Sequence, residues 1–232
     1  MRLAKRLVPL LVVTLVATAI ALWSVRKPWF WAFQISGYER ADRANPPKQG
    51  VIVFTGSSSI RFWHTLADDM QPLDVINRGF GGSTIAQVDY YASRIVLPYR
   101  PRAVVLYAGD NDLSWPWSKS PETVFGDFKR FVEIIHSALP DTWIYYVSIK
   151  PTTLRAAGWP KMRETNRMIA DFCRTQDRVQ FIDVSAGMLD SNGKPRPELF
   201  RWGGLHMNAR GYAIWTSIIR PVLLSRFGPA PN

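Results

Sequence analysis

The chain has 232 residues, 29 Lys and Arg against 18 Asp and Glu, a formal charge of +11, and one cysteine, Cys173. That length allows one domain with a sizeable core, and the single cysteine excludes an intrachain disulfide and a Cys-built metal site. The positive charge does not read as a nucleic-acid interface, because the basic residues are scattered and form no Lys/Arg block or known motif; it favours contact with anionic lipid or envelope polymers.

In chain order, Arg2, Lys5 and Arg6 precede an apolar stretch from Leu7 to Trp23, and Arg26 and Lys27 follow it. This pattern predicts an N-terminal hydrophobic helix over residues 1–26 that acts as an uncleaved membrane anchor, with a cleaved signal segment as the alternative. Either way the main domain is expected to be exported, periplasmic or otherwise extracytoplasmic. Trp23, Trp29, Phe30, Trp31 and Phe33 suit a membrane interface. Residues 27–50, with Asn45-Pro46-Pro47, read as a connector.

Short apolar runs then alternate with amphipathic segments. Val51–Thr55, Leu73–Asn77, Ala103–Tyr107, Trp143–Ile149 and Val179–Val184 have the continuous apolar character of strands buried on both faces. Thr123–Leu139 carries Val124, Phe128, Phe131, Val132 and Ile135 at helical spacing, with Pro121 and Pro140 as punctuation. Lys161–Thr175 and Asn208–Leu224 are the other clear helices. The succession predicts a three-layer α/β/α sandwich with about five parallel strands, in a domain over residues 51–228.

The polar residues of interest fall where these strands end, which is where parallel α/β sheets gather their functional groups. Val51-Ile-Val-Phe-Thr-Gly-Ser57-Ser58-Ser59-Ile-Arg61 places small hydroxyl residues on a tight turn after the first strand. Asn77-Arg-Gly-Phe-Gly-Gly82-Ser-Thr84 follows the second, Gly109-Asp110-Asn111-Asp112 the third, and Leu205-His206-Met-Asn208 leads into the last helix. These parts fit acyl transfer. Ser58 is a weak nucleophile until a base, here His206, accepts its proton. The backbone N–H groups of Ser58 and Gly82 and the side-chain amide of Asn111 could then hold a tetrahedral oxyanion.

On these four blocks the chain resembles the SGNH hydrolases, the GDSL-type esterase/lipase superfamily, and in particular a subgroup whose first block reads Gly-Ser-Ser-Ser-Ile-Arg. The resemblance spans about Val51 to Ser225, and the family's four marker residues fall on Ser58, Gly82, Asn111 and His206. It implies a flavodoxin-like fold, no cofactor and no metal, and ester or thioester substrates such as acyl esters, lysophospholipids or acetylated glycans. The family places an Asp three residues before the histidine, and here that position is Gly203. Loss of a triad carboxylate costs roughly four orders of magnitude in serine proteases. Two expectations follow. Either a backbone carbonyl, or a displaced acid such as Asp183, Asp190 or Glu198, orients His206 in a working dyad, or the fold survives as a low-activity module that binds acylated glycan or lipid. An envelope acyltransferase using the same site is a third possibility.

The remaining candidates have plainer expectations. Ser57 reads as a turn residue, His64 as a surface group, His136 and Cys173 as structural helix residues. Asp110 and Asp112 read as turn-stabilising acceptors rather than metal ligands. Trp115 and Trp117 either line a substrate cleft or cover the sheet edge.

Overall fold

The structure, a computed structural model, describes residues 2–229. In order it contains α1 (Arg2–Val25), a 3-10 turn (Pro28–Trp31), α2 (Ala32–Ala44), β1 (Ile52–Gly56), α3 (Ser58–Arg61), α4 (Leu66–Asp69), β2 (Val75–Gly79), α5 (Ile85–Ile95), β3 (Ala103–Tyr107), α6 (Pro121–Ala138), β4 (Trp143–Val147), α7 (Trp159–Cys173), β5 (Val179–Ile182) and α8 (Ala209–Phe227). The five strands form one sheet in the order β2-β1-β3-β4-β5, and every neighbouring pair is parallel. This is the expected α/β sandwich of the flavodoxin-like type.

Strand pleating divides the core into two layers. Val53, Val104, Leu106, Ile144 and Tyr146 face α5, α6 and α7, where Val88, Phe128, Phe131 and Ile169 meet them. Ile52, Phe54, Val105, Tyr145 and Val147 face the other side and pack on Trp63 after α3 and on Trp215, Ile219 and Leu223 of α8. Burial on both faces is why the strands read as unbroken apolar runs. Helix starts are fixed by side chains: Thr84 and Gln87 form a capping box on α5, Ser120 caps α6 ahead of Pro121, and Asn208 caps α8. Each such cap contributes about 1 kcal/mol.

Strand ends move by a few residues from the sequence reading. β2 begins at Val75 and runs to Gly79 because its pairing with β1 extends to Gly56↔Gly79. β4 stops at Val147 and β5 at Ile182, where Ser148 Oγ donates to Asp183 Oδ1 and accepts from Val184 N.

The stretch expected as a connector contains α2. Ile35 is fully buried in the core, Gln34 and Tyr38 donate to the Gly79 carbonyl, Asp42 pairs with Arg78 and accepts from Tyr99, and Glu39 pairs with Arg94 at 2.6 Å. The helix therefore covers the carboxyl end of β2, one of the sheet's two edge strands. Residue 1, and in α1 the side chains of residues 2–11, 15 and 22, on which much of the anchor expectation falls, lie outside the described set. Among the described residues no helix is long and apolar enough to cross a membrane.

Asp89 on α5 is buried, and neither carboxylate oxygen has a hydrogen-bond partner. Burial, with Asp127 nearby, pushes its pKa up to about 8. The neutral acid is favoured in the folded chain, so its stabilising share is complete below about pH 4 and is lost as pH rises towards 8. Asp89→Asn is expected to raise Tm by about 5 °C at pH 8 and to leave it unchanged near pH 4; thermal melts at the two pH values check this, and equal shifts would contradict it.

Candidate active site

The site stands at the carboxyl edge of the sheet, beside the point where the strand order reverses between β1 and β3. β1 ends in Gly56 with φ +124°, and a Cβ there would lie 1.9 Å from the Tyr107 carbonyl oxygen. Only glycine lets the chain turn this close to β3. Ser57 N then donates to Tyr107 O at 2.8 Å, and Ser58 becomes the first residue of α3.

His206 arrives from the loop before α8. Arg201 N donates to His206 O at 2.8 Å and Asn208 N to Leu199 O at 3.0 Å, and the Asn208 side chain caps α8 two residues on. The imidazole Nε2 lies 3.1 Å from Ser58 Oγ, across 148 residues of sequence. Ser57 Oγ and Ser59 Oγ are buried without a partner, so Ser58 is the hydroxyl of this block that meets the base. Phe62 packs edge-on against His206, with centroids 5.0 Å apart and planes at 90°.

The Gly81-Gly82 turn lies beside Ser58, and Asn111 follows β3 at the same edge of the sheet. A Cβ on Gly81 would lie 4.0 Å from Ser58 Cβ, which puts the Gly81-Gly82 backbone next to the hydroxyl. Gly82 has φ +78°, and a Cβ on it would come within 3.3 Å of the Trp31 indole. Asn111 is held at both ends of its amide: Nδ2 donates to Ser83 O at 3.1 Å, and Oδ1 accepts from Arg155 Nη2 at 3.0 Å. The Arg155 bond fixes which end of the amide is the donor.

Nothing in the described residues hydrogen-bonds to His206 Nδ1, and this corrects the expectation of an orienting carbonyl or displaced acid. Asp183 Oδ1 accepts from Ser148 and Ser185, Asp190 Oδ1 from Asn192 N and Lys194 N, and Glu198 pairs with Arg196 at 2.8 Å. Each is satisfied by its own neighbourhood. Gly203 has φ +90°, and a Cβ there would meet nothing within 4 Å. The vacant acid position has room for a side chain on left-handed backbone.

Sequence reasoning missed a buried charge cluster beside the site. Lys150, fully buried after β4, donates to Tyr107 OH at 3.0 Å and lies 3.4 Å from Asp110 Oδ2. Arg155 Nη1 lies 3.2 Å from the same carboxylate oxygen. Burial opposes the charge on Asp110, but Lys150 and Arg155 overcome it and hold the carboxyl below its ordinary range. Burial lowers the Lys150 pKa, and Arg155 adds to the effect. The available signal was a lysine closing an apolar strand run, Trp143 to Lys150, a position where an unpaired charge is not tolerated. Burial also lowers the pKa of His206; the Lys150, Arg201 and Arg155 cations act the same way, against Asp110.

The other candidates fall outside the constellation. Asp112 accepts from Ile85 N at the start of α5 and pairs with Lys119 at 2.9 Å; burial raises its pKa to about 6. His136 Nε2 lies 3.1 Å from Thr142 O, and His64 is exposed. Cys173 is buried in α7, which pushes its thiol up to about 12. Trp117 is half-buried and Trp115 exposed. Among the described residues no cluster of His, Cys, Asp or Glu could hold a metal ion.

Comparison with known proteins places the chain in a family and supports its fold. The model of the GDSL-like Lipase/Acylhydrolase family matches residues 42–214. No curated protein matches the chain. Among solved structures, a GDSL-like lipase from Bacteroides thetaiotaomicron superposes with TM-score 0.72 at 20% identity, over 82% of this chain and 97% of that one. A carbohydrate esterase family 3 protein from Talaromyces cellulolyticus gives 0.62 at 18% identity, over 75% and 97%. A family 3 carbohydrate esterase from Clostridium thermocellum gives 0.59 at 17%, over 77% and 98%. At these identities the likeness is one of fold.

Burial and the cationic surroundings of His206 make a direct expectation. In an NMR titration the His206 imidazole is expected to ionise below the ordinary histidine value, and Arg155→Met is expected to move it upward. A wild-type value at or above the ordinary one would contradict the account.

Proposed function

The chain belongs to the GDSL-like lipase/acylhydrolase family, and on that premise we propose that it is a serine esterase acting on carboxylic esters through Ser58 and His206. The observation that carries the reading is the 3.1 Å approach of His206 Nε2 to Ser58 Oγ, within the reach a general base needs. Ser58 Oγ attacks the acyl carbonyl while His206 takes its proton. The backbone N–H groups of Ser58 and Gly82 and the Asn111 Nδ2 donor stabilise the oxyanion. His206 then protonates the leaving alcohol, and a water, deprotonated by the same imidazole, releases the acid and restores Ser58.

The charges around the site favour one half of this cycle. Burial first, and then the nearby cations, depress the pKa of His206 and keep the imidazole ready to accept a proton. The same cations oppose the imidazolium that forms during attack, and no carboxylate compensates at Gly203. Lys150 and Arg155 in turn suit the developing oxyanion, and Arg155 holds the Asn111 donor in place. The expected enzyme is therefore a working dyad with reduced turnover. The substrates are acyl or acetyl esters, lysophospholipid and acetylated glycan among them; the carbohydrate esterases among the fold neighbours support the last. Residues 1–26 anchor the domain to a membrane on its exported side.

A second reading, a binding module with little or no turnover, draws on one observation: His206 Nδ1 has no hydrogen-bond partner in the described residues. Turnover of p-nitrophenyl acetate separates the two. Ser58→Ala is expected to lower kcat by at least about 10³-fold, and Gly203→Asp to raise it by about ten-fold or more, since the restored carboxylate finds room and Asp tolerates left-handed backbone better than most residues. Wild-type turnover equal to that of Ser58→Ala would sink the esterase. A Gly203→Asp rate equal to wild type would show that His206 needs no acid.

A further inference from the structure

Apart from Tyr90 on α5, the exposed large apolar side chains described in residues 51–228 stand in loops at one end of the sheet. Trp115 follows β3, Leu154 follows β4, and Trp202 stands four residues before His206; they are 72%, 63% and 104% exposed. Leu154 N donates to Gly204 O at 3.2 Å, which joins two of these loops at the rim of the site. Among the described residues none of the exposed large apolar side chains lies in the loops at the opposite, amino end of the sheet, where charged groups such as Lys48, Asp74, Asp141 and Arg178 stand instead.

The helix α1 reaches the domain at this same rim. The Arg26 guanidinium donates to Pro116 O, beside Trp115. Gln87, in the first turn of α5, donates to Val25 O at 3.0 Å, and the Trp31 indole lies over Gly82. Trp23 and Trp29 meet at 6.1 Å, with Lys27 5.1 Å above the Trp23 ring, and both tryptophans and Phe30 are exposed. Val12, Val13, Val16 and Ile20 of α1 are also exposed. Arg61 and Arg201 add exposed cations near the mouth. Tryptophan flanked by Arg and Lys next to an exposed apolar helix is the composition of a lipid–water interface. Cations there are worth about 1 kcal/mol each against anionic lipid.

We propose that the catalytic rim is itself a bilayer-docking surface: Trp115, Leu154 and Trp202 rest on the anionic lipid surface that receives α1, and Ser58 takes amphiphilic acyl esters from that surface. The inference rests on the esterase reading for its substrate, and on the rim alone for its docking. A surface-held ester slides with its acyl carbonyl towards Gly82 and Asn111 while its apolar part stays in lipid, so the site needs no deep acyl pocket of its own.

The test uses the full chain in vesicles of phosphatidylcholine and phosphatidylglycerol. An environment-sensitive fluorophore is placed on Trp202→Cys or, as the opposite-end control, on Asp141→Cys; Cys173 is buried and stays unlabelled. The label at 202 is expected to shift to the blue and to be quenched by spin-labelled lipid, and the label at 141 to stay in water. Equal hydration of both labels, failure of the chain to bind the vesicles, or shielding at 202 without lipid would each overturn the proposal, the last by pointing to a second copy of the chain. The joint variant Trp115→Ser, Leu154→Ser, Trp202→Ser is expected to keep its turnover of soluble p-nitrophenyl acetate and to lose about ten-fold on a long-chain p-nitrophenyl ester in the vesicles. Equal loss on both substrates would contradict docking. Absence of turnover on both by the wild-type chain would sink the esterase reading and leave the label result to decide the surface.

Discussion

Contact between the Ser58 hydroxyl and the His206 imidazole depends on a clamp between two helices that begin at the same edge of the sheet. Tyr212 of α8 reaches across and donates to the Ser59 carbonyl at 2.9 Å. Its ring stacks on Trp63 at 5.3 Å, and Trp63 in turn meets Trp215 at 5.8 Å. These three aromatics bind α3 to α8, so the turn carrying the serine and the loop carrying the histidine move as one body. Aromatic contacts of this kind contribute about 0.5–1.5 kcal/mol each beyond their burial. The clamp works because β1 has already brought Gly56 against Tyr107, leaving Ser58 proud of the strand end.

Electrostatics around the imidazole explain how such a site could function without a triad acid, and why it should be slow. A carboxylate next to histidine has two effects: it fixes the ring and it stabilises the charged form. Here Phe62 holds the ring from one side, and the Ser58 contact from another, so the first effect is partly replaced by packing. The second is reversed, because burial and the Lys150, Arg201 and Arg155 cations disfavour a further positive charge there. The buried Asp110 neutralises part of that field. In the proposed cycle the remaining positive potential favours the oxyanion.

The fold was legible in the sequence because both faces of the sheet are buried. Val51 to Thr55 and Ala103 to Tyr107 could scarcely be anything but inner strands, and four polar blocks at strand ends located Ser58, Gly82, Asn111 and His206. What escaped was tertiary in origin. α2 has one fully buried residue, Ile35, and is held mainly by ion pairs and by hydrogen bonds to Gly79, so it carries little apolar periodicity. The cluster of Lys150 and Arg155 with Asp110 was not legible, since only the folded chain brings Asp110 to both and Tyr107 to Lys150. The expected partner of His206 was a backbone carbonyl or a displaced acid; among the described residues neither meets Nδ1, and Asp183, Asp190 and Glu198 are held by Ser148 and Ser185, by the 190–194 turn and by Arg196.

The most direct test of the account is covalent labelling of the folded full chain with a fluorophosphonate, followed by identification of the modified residue. The account requires one adduct, on Ser58, forming faster as pH rises through the ionisation of His206 and lost in His206→Ala. An adduct on Ser57 or Ser59, or none on a folded chain, would contradict it.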